Sequence, residues 1–254
     1  MSWWEALLLA LVEGITEFLP VSSTGHMILI SIWLGRAEET FTQDYEIIIQ
    51  GGAILAVLAH SYRRLWNPRL YLPIAVAFLP TAMIGFWAKE WLEGLLTSPL
   101  IVAINLIAGG VVLMRMDRWF RGSQGGIESI SLWRAMIIGL VQALSLLPGV
   151  SRAAAALFGA RWMGLKKEDA AEFSFLLAVP TLGAASAYKL LKSPVAFSSE
   201  NAPVLIMGIV VAFIVAFLAM RFLITSWQRY GLLPFGVYRI ILGSVVLLWR
   251  GLSS

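Results

Sequence analysis

Glu13-Gly14-Ile15-Thr16-Glu17-Phe18-Leu19-Pro20-Val21-Ser22-Ser23-Thr24-Gly25-His26 lies inside an otherwise apolar run from Trp3 to Leu34. Two carboxylates, four hydroxyls and an imidazole at the centre of such a run do not suit a helix facing lipid. The proline removes a backbone donor and breaks the helix. Irregular backbone at membrane depth persists only when buried in protein or lining a cavity. The stretch therefore reads as a re-entrant helical hairpin. A second stretch, Leu132 to Ala160, carries Gln142, Ser145, Pro148, Gly149, Ser151 and Arg152 at its centre and reads the same way.

Around these two stretches the chain is apolar. Its 254 residues are 59% hydrophobic and 13% charged, about half the charge of a soluble domain. Six stretches have spanning length: about 45–60, 70–88, 99–116, 170–190, 203–222 and 235–250. Each approaches the roughly 20 apolar residues that a bilayer core requires. The expected class is an all-α integral membrane protein with six transmembrane helices and two re-entrant hairpins, forming a single membrane domain over 1–254. The net charge of +4 is then no nucleic-acid signal. The absence of cysteine excludes disulfides, zinc–thiolate sites and thiol chemistry. Met1 to Val12 lacks the basic start of a cleavable leader, so it is expected to belong to the mature fold.

Loop charges orient the chain. The connections near 61–69, 115–134, 161–169 and 221–234 hold Arg63, Arg64, Arg69, Arg115, Arg118, Arg121, Arg134, Arg161, Lys166, Lys167, Arg221 and Arg229. The opposite ends hold Arg36, Lys89, Lys189, Lys192 and Arg250, while Arg152 and Arg239 fall inside segments. The positive-inside bias places the richer side in the cytoplasm and both termini outside it. The first hairpin then enters from outside and the second from the cytoplasm, each followed by three spans. That is an inverted-topology repeat, with halves at about 1–118 and 130–252. Leu11-Val12-Glu13-Gly14-Ile15-Thr16 lines up with Leu140-Val141-Gln142-Ala143-Leu144-Ser145. After a one-residue slip at the proline, Val21-Ser22-Ser23 matches Val150-Ser151-Arg152. Glu46 and Glu172 each lie near the start of the next apolar span.

Chemistry concentrates in the hairpins. Glu13 and Glu17 share one helix face, where a divalent cation such as magnesium or calcium would relieve their repulsion. The plainer reading is a solvated helix end. Ser22, Ser23 and Thr24 can cap the next helix or, with backbone amides freed at the break, bind an anion. Ser23 beside His26 could be nucleophile and base, and His26 could instead accept a phosphoryl group or act as an acid. His60, beside Arg63 and Arg64, reads as interfacial. Arg152 offers a fork suited to phosphate oxygens, or an ion-pair partner for Glu13, Glu17, Glu46 or Glu172. Gly149 and Ser151 flank it as phosphate-binding positions. Hairpin tips entering from opposite faces can meet at the midplane, a setting for a lipid-borne phosphate held through a metal.

The stretch Glu13 to His26, with Pro148-Gly149-Val150-Ser151-Arg152 and Glu172-Phe173-Ser174-Phe175-Leu176-Leu177-Ala178-Val179-Pro180, resembles undecaprenyl-diphosphate phosphatases of the BacA/UppP type over nearly the whole chain. The resemblance implies hydrolysis of undecaprenyl diphosphate to the monophosphate at the outer side of the bacterial inner membrane. This recycles the lipid carrier for cell-wall synthesis. It also implies a divalent metal, and bacitracin resistance on overproduction. Carried over, Glu13 and Glu17 are the paired acidic residues, Ser23 or His26 the nucleophile or its assistant, and Arg152 the phosphate ligand. One departure stands out: the family's Ser-Arg-Ser-Gly-x-Thr is here Ser151-Arg152-Ala153-Ala154-Ala155-Ala156. The hydroxyls missing at 153 and 156 imply weakened turnover that restoring them would raise. The competing reading is a lipid-phosphate flippase, or a weakly active paralogue, using the same midplane site. Monomer and homodimer are both open.

Overall fold

The computed structural model describes residues 1–88, 91–92, 95, 98–193, 198 and 201–253, with side chains to Trp249. Lys89 and the side chain of Arg250, both counted on the charge-poor side, lie outside that set. The described residues form α1 (Trp3–Thr16), α2 (Ser23–Trp33), α3 (Thr40–Ile48), α4 (Gln50–His60), α5 (Tyr62–Leu65) and α6 (Tyr71–Trp87). They continue with α7 (Pro99–Trp119), α8 (Leu132–Ala143), α9 (Arg152–Trp162), α10 (Lys167–Lys192), α11 (Asn201–Tyr230) and α12 (Leu233–Ser253). No strand occurs among the described residues; Gly125 and Leu165 make an isolated bridge. Four segments are long and apolar enough to cross a membrane by length and composition: Pro68–Trp87, α7, α10 and α11. Large apolar side chains such as Leu79, Ile104, Leu218 and Val245 are exposed on these helices and on α12, as expected where the solvent is lipid.

Local sequence explains the element ends. Ser2 and Glu5 form a capping box that starts α1. The stretch expected as one span over 45–60 is instead two helices interrupted at Ile49, followed by Gly51 and Gly52. Glycines hold a helix weakly, and Gly52 is required by packing, since a Cβ there would lie 2.2 Å from the Ile209 carbonyl oxygen. Gly139 is similar: its Cβ would meet the Ala77 carbonyl oxygen at 2.0 Å, so α8 and α6 touch backbone to backbone.

The packing interleaves N-terminal and C-terminal helices. Helix α1 packs on α11, and α8 packs on α6; α7 pairs with α12, and α4 lies against both α10 and α11. Helix α10 is the most interior of the four long segments, 56% buried against 28–33% for the others. Its Phe173 and Phe175 join Phe18, Leu113 and Trp227 in the main core. At the arginine-rich ends, Arg64 pairs with Glu128 and Asp169, and Lys167 with Asp117. Asp117 also accepts from the Leu232 backbone N–H at the start of α12. Arg161, counted as a loop charge from sequence, is buried and donates to the Phe120, Ser123 and Leu165 carbonyls.

Candidate active site

Two serines, one each, start α2 and α9 in the same unusual way. Ser22 (φ +74°) caps α2 and accepts from the Gly25 N–H; Ser151 (φ +78°) caps α9 and accepts from the Ala154 N–H. Among the described residues these are the only non-glycine residues at positive φ, a backbone state that L side chains adopt at a cost. Both also follow a valine, in the matched pairs Val21-Ser22 and Val150-Ser151. Gly149, two residues before Ser151, has φ +91°, and a Cβ there would meet the Val102 carbonyl oxygen at 2.5 Å. Only glycine fits that approach to α7.

The two tips meet through Glu17 and Arg152. Arg152 Nη2 lies 2.7 Å and Nε 3.2 Å from Glu17 Oε1, while Nη1 donates to the Ser174 carbonyl at 3.0 Å. The guanidinium stacks over the Phe18 ring at 5.3 Å. Ser23 Oγ donates to the other Glu17 oxygen, Oε2, at 2.5 Å. Glu17 is thus held by an arginine at the start of α9 and a serine at the start of α2, in a charge-assisted arrangement. Glu13, one turn earlier, is buried beside Glu17 and Glu46, and its Oε1 has no hydrogen-bond partner among the described residues. A buried carboxylate oxygen left unpaired is costly unless something positive occupies it.

Glu17, Ser23 and Arg152 open onto one cavity of about 500 Å³, whose wall does not include Glu13. Glu17, Ser22, Ser23, Thr24, Gly149, Ser151 and Arg152 line it, so nearly every site residue proposed from sequence converges there. The rest of its wall is largely apolar, with Phe78, Phe86, Leu146 and Leu182 among its members. His26 points elsewhere. Its Nδ1 faces the Ser22 carbonyl at 2.7 Å and its Nε2 the Tyr238 hydroxyl at 2.6 Å. A carbonyl only accepts, so Nδ1 carries a hydrogen. His60 lies against Phe175 and Phe217, away from this wall. Ala153 and Ala156 are 1% and 0% exposed and do not line the cavity.

Three further residues have roles that the sequence alone did not assign. Gln142 is fully buried and donates to the hydroxyls of Thr81 and Thr181, two cavity-lining residues that each follow a helix-interior proline. The repeated Pro-Thr pair was the available signal. Tyr238, half exposed, gave none. Arg239 was visible only as a charge inside an apolar segment. It is fully buried and donates to five backbone carbonyls, of Leu106, Pro20, Val150, Asn105 and Gly149.

The family model described as bacitracin resistance protein BacA matches residues 6–245. A protein of Bdellovibrio bacteriovorus named undecaprenyl-diphosphatase is 44% identical over 256 residues, covering 98% of this chain and 96% of its own length. One of Flavobacterium johnsoniae with the same name is 42% identical, with 98% and 96% covered. Another of that name, from Wolinella succinogenes, is 43% identical, with 99% and 100% covered.

Proposed function

Because the chain belongs to the bacitracin resistance protein BacA family, we propose that it is an undecaprenyl-diphosphatase, hydrolysing undecaprenyl diphosphate to the monophosphate and phosphate. The observation that carries this reading is the Ser23–Glu17–Arg152 constellation on a cavity between two helix N-termini. Arg152 would exchange Glu17 for phosphate oxygens, and the Ser22–Thr24 and Ser151 helix starts supply further donors. Glu17, already accepting the Ser23 hydrogen, is placed to act as base. Ser23 Oγ attacks the terminal phosphorus, its proton passes to Glu17, and the phosphoanhydride bond breaks to release the lipid monophosphate. Water then hydrolyses the phosphoserine. His26, turned towards Tyr238, would act through Ser22 rather than on the substrate. The apolar wall suits the isoprenoid chain.

Glu13 and Glu17 fit magnesium or calcium: two adjacent carboxylates, one with an unpartnered buried oxygen. Among the described residues no three His, Cys, Asp or Glu side chains are arranged to hold a metal ion by themselves, so the substrate's phosphates would complete the ligand set, as magnesium favours. The ion would supply positive charge to the phosphate oxygens.

The membrane arrangement supports the same reading. In it, α1–α2 and α8–α9 are re-entrant hairpins, and six spans follow in two inverted halves. Exchanging the halves maps the α1–α11 contact onto α8–α6 and leaves α7–α12 and α4–α10 in place. The capping serines correspond in the same way. Gln50, Phe86 and Tyr188, at the cavity, lie near helix ends on the charge-poor side, which the positive-inside bias puts outside the cytoplasm. The site then faces the outer side of the bacterial inner membrane. Phosphate release from undecaprenyl diphosphate by the purified chain in detergent, with magnesium or with chelator, tests the proposal. Metal-dependent release abolished by Ser23→Ala and by Glu17→Gln is expected. No release from the wild-type chain, or full release from both variants, would overturn it.

A further inference from the structure

Arg239 is a charge buried in the membrane domain with no carboxylate bonded to it among the described residues; carbonyl oxygens alone among them receive its hydrogen bonds. Its Nη1 reaches Pro20 O at 3.1 Å and Val150 O at 3.0 Å, and Nη2 reaches Gly149 O at 2.8 Å. Nε and the remaining bond of Nη2 go to α7, at Leu106 O (3.2 Å) and Asn105 O (2.9 Å). Pro20 and Gly149 each stand two residues before a capping serine, Ser22 and Ser151. One guanidinium therefore holds matched carbonyls of both hairpin tips and ties them to a third helix. Non-helical carbonyls away from water need donors, and Asn105 Nδ2 adds one to Pro148 O at 2.8 Å. Gly109 makes the space: a Cβ there would lie 2.2 Å from Arg239 Nη2 and 2.7 Å from its Cζ.

We propose that Arg239 is a positioning residue for the reaction, locking the two hairpin tips in register so that Ser23 and Glu17 of one face Arg152 of the other. It touches neither cavity nor substrate and acts through the backbone of the tips. A lysine at this position keeps the charge, but its single nitrogen cannot span carbonyls of two tips and α7. The inference rests on the phosphatase reading for its kinetic arm, and its structural arm stands without that reading.

The test uses the full chain in nanodiscs with magnesium, comparing Arg239→Gln, Arg239→Lys and Gly109→Ala with wild type. Gly109→Ala keeps the arginine but displaces it, so the proposal stays testable if Arg239→Gln does not fold. Turnover of undecaprenyl diphosphate is expected to fall about 100-fold in every variant, the size of effect of an ångström-scale misplacement, with KM within about threefold. The chain has no cysteine, so spin labels at Trp33→Cys and Trp162→Cys, exposed ends of α2 and α9, report the tip register. Their distance distribution is narrow in wild type and is expected to broaden or shift in all three variants. Wild-type turnover in Gly109→Ala, an effect confined to KM, or a distance distribution that stays unchanged while turnover falls would overturn the proposal. If the wild-type chain releases no phosphate, the phosphatase reading fails, and the label distances still decide the role of Arg239.

Discussion

Arg152→Met leaves Glu17 as a buried carboxylate whose remaining side-chain partner is Ser23. The two side chains are 8% and 3% exposed and meet at 2.7 Å, with a second contact at 3.2 Å. Solvent screening is therefore weak, and stranding one partner of such a pair costs about 3–5 kcal/mol. Glu17→Gln strands Arg152 in turn, less severely, because the Ser174 carbonyl still accepts from Nη1. The double variant leaves no unpaired charge, so its stability is expected within about 1–2 kcal/mol of wild type. Turnover behaves differently. Each single variant and the double variant lose a group aimed at the phosphate, an effect of about 100- to 1000-fold or more. Denaturant titration in detergent measures the first quantity and initial-rate phosphate release the second. Stability rescue without activity rescue is the expected pattern. Additive destabilisation in the double variant would refute the pair, and turnover within tenfold of wild type would refute its part in the chemistry.

Ala153→Ser with Ala156→Thr introduces hydroxyls at two buried positions off the cavity wall; turnover is expected to change less than about threefold while stability falls by about 1–3 kcal/mol. A tenfold gain in phosphate release would instead mark those hydroxyls as missing donors. Gly139→Ala forces a methyl against the Ala77 carbonyl and is expected to cost about 1–3 kcal/mol or more, read by thermal melting in detergent; an unchanged melt would contradict the α6–α8 contact. Cysteines introduced at Arg63 or Arg121 are expected to react only with reagent reaching the cytoplasmic face, and labelling of either from outside would reverse the topology.

The sequence by itself determined the membrane class, the approximate positions of most helices and the polar residues of the candidate site. Apolar runs have a fixed length requirement, and a proline with carboxylates or arginine inside such a run leaves few structural options. Glu17, Ser23 and Arg152 were legible for that reason, as was the match of Ser22 with Ser151. Long-range geometry was not. No local pattern says that Arg152 bonds Glu17 rather than Glu13, Glu46 or Glu172, because their relative distances depend on how α1, α9 and α10 pack. The break at Ile49 follows from how closely Gly52 approaches α11. His26 turns away from the cavity because Tyr238, 212 residues later, offers its hydroxyl. Arg239 read only as an out-of-place charge until the tertiary structure brought five carbonyls around it. Its partners come from both hairpin tips and α7, and only packing supplies that convergence.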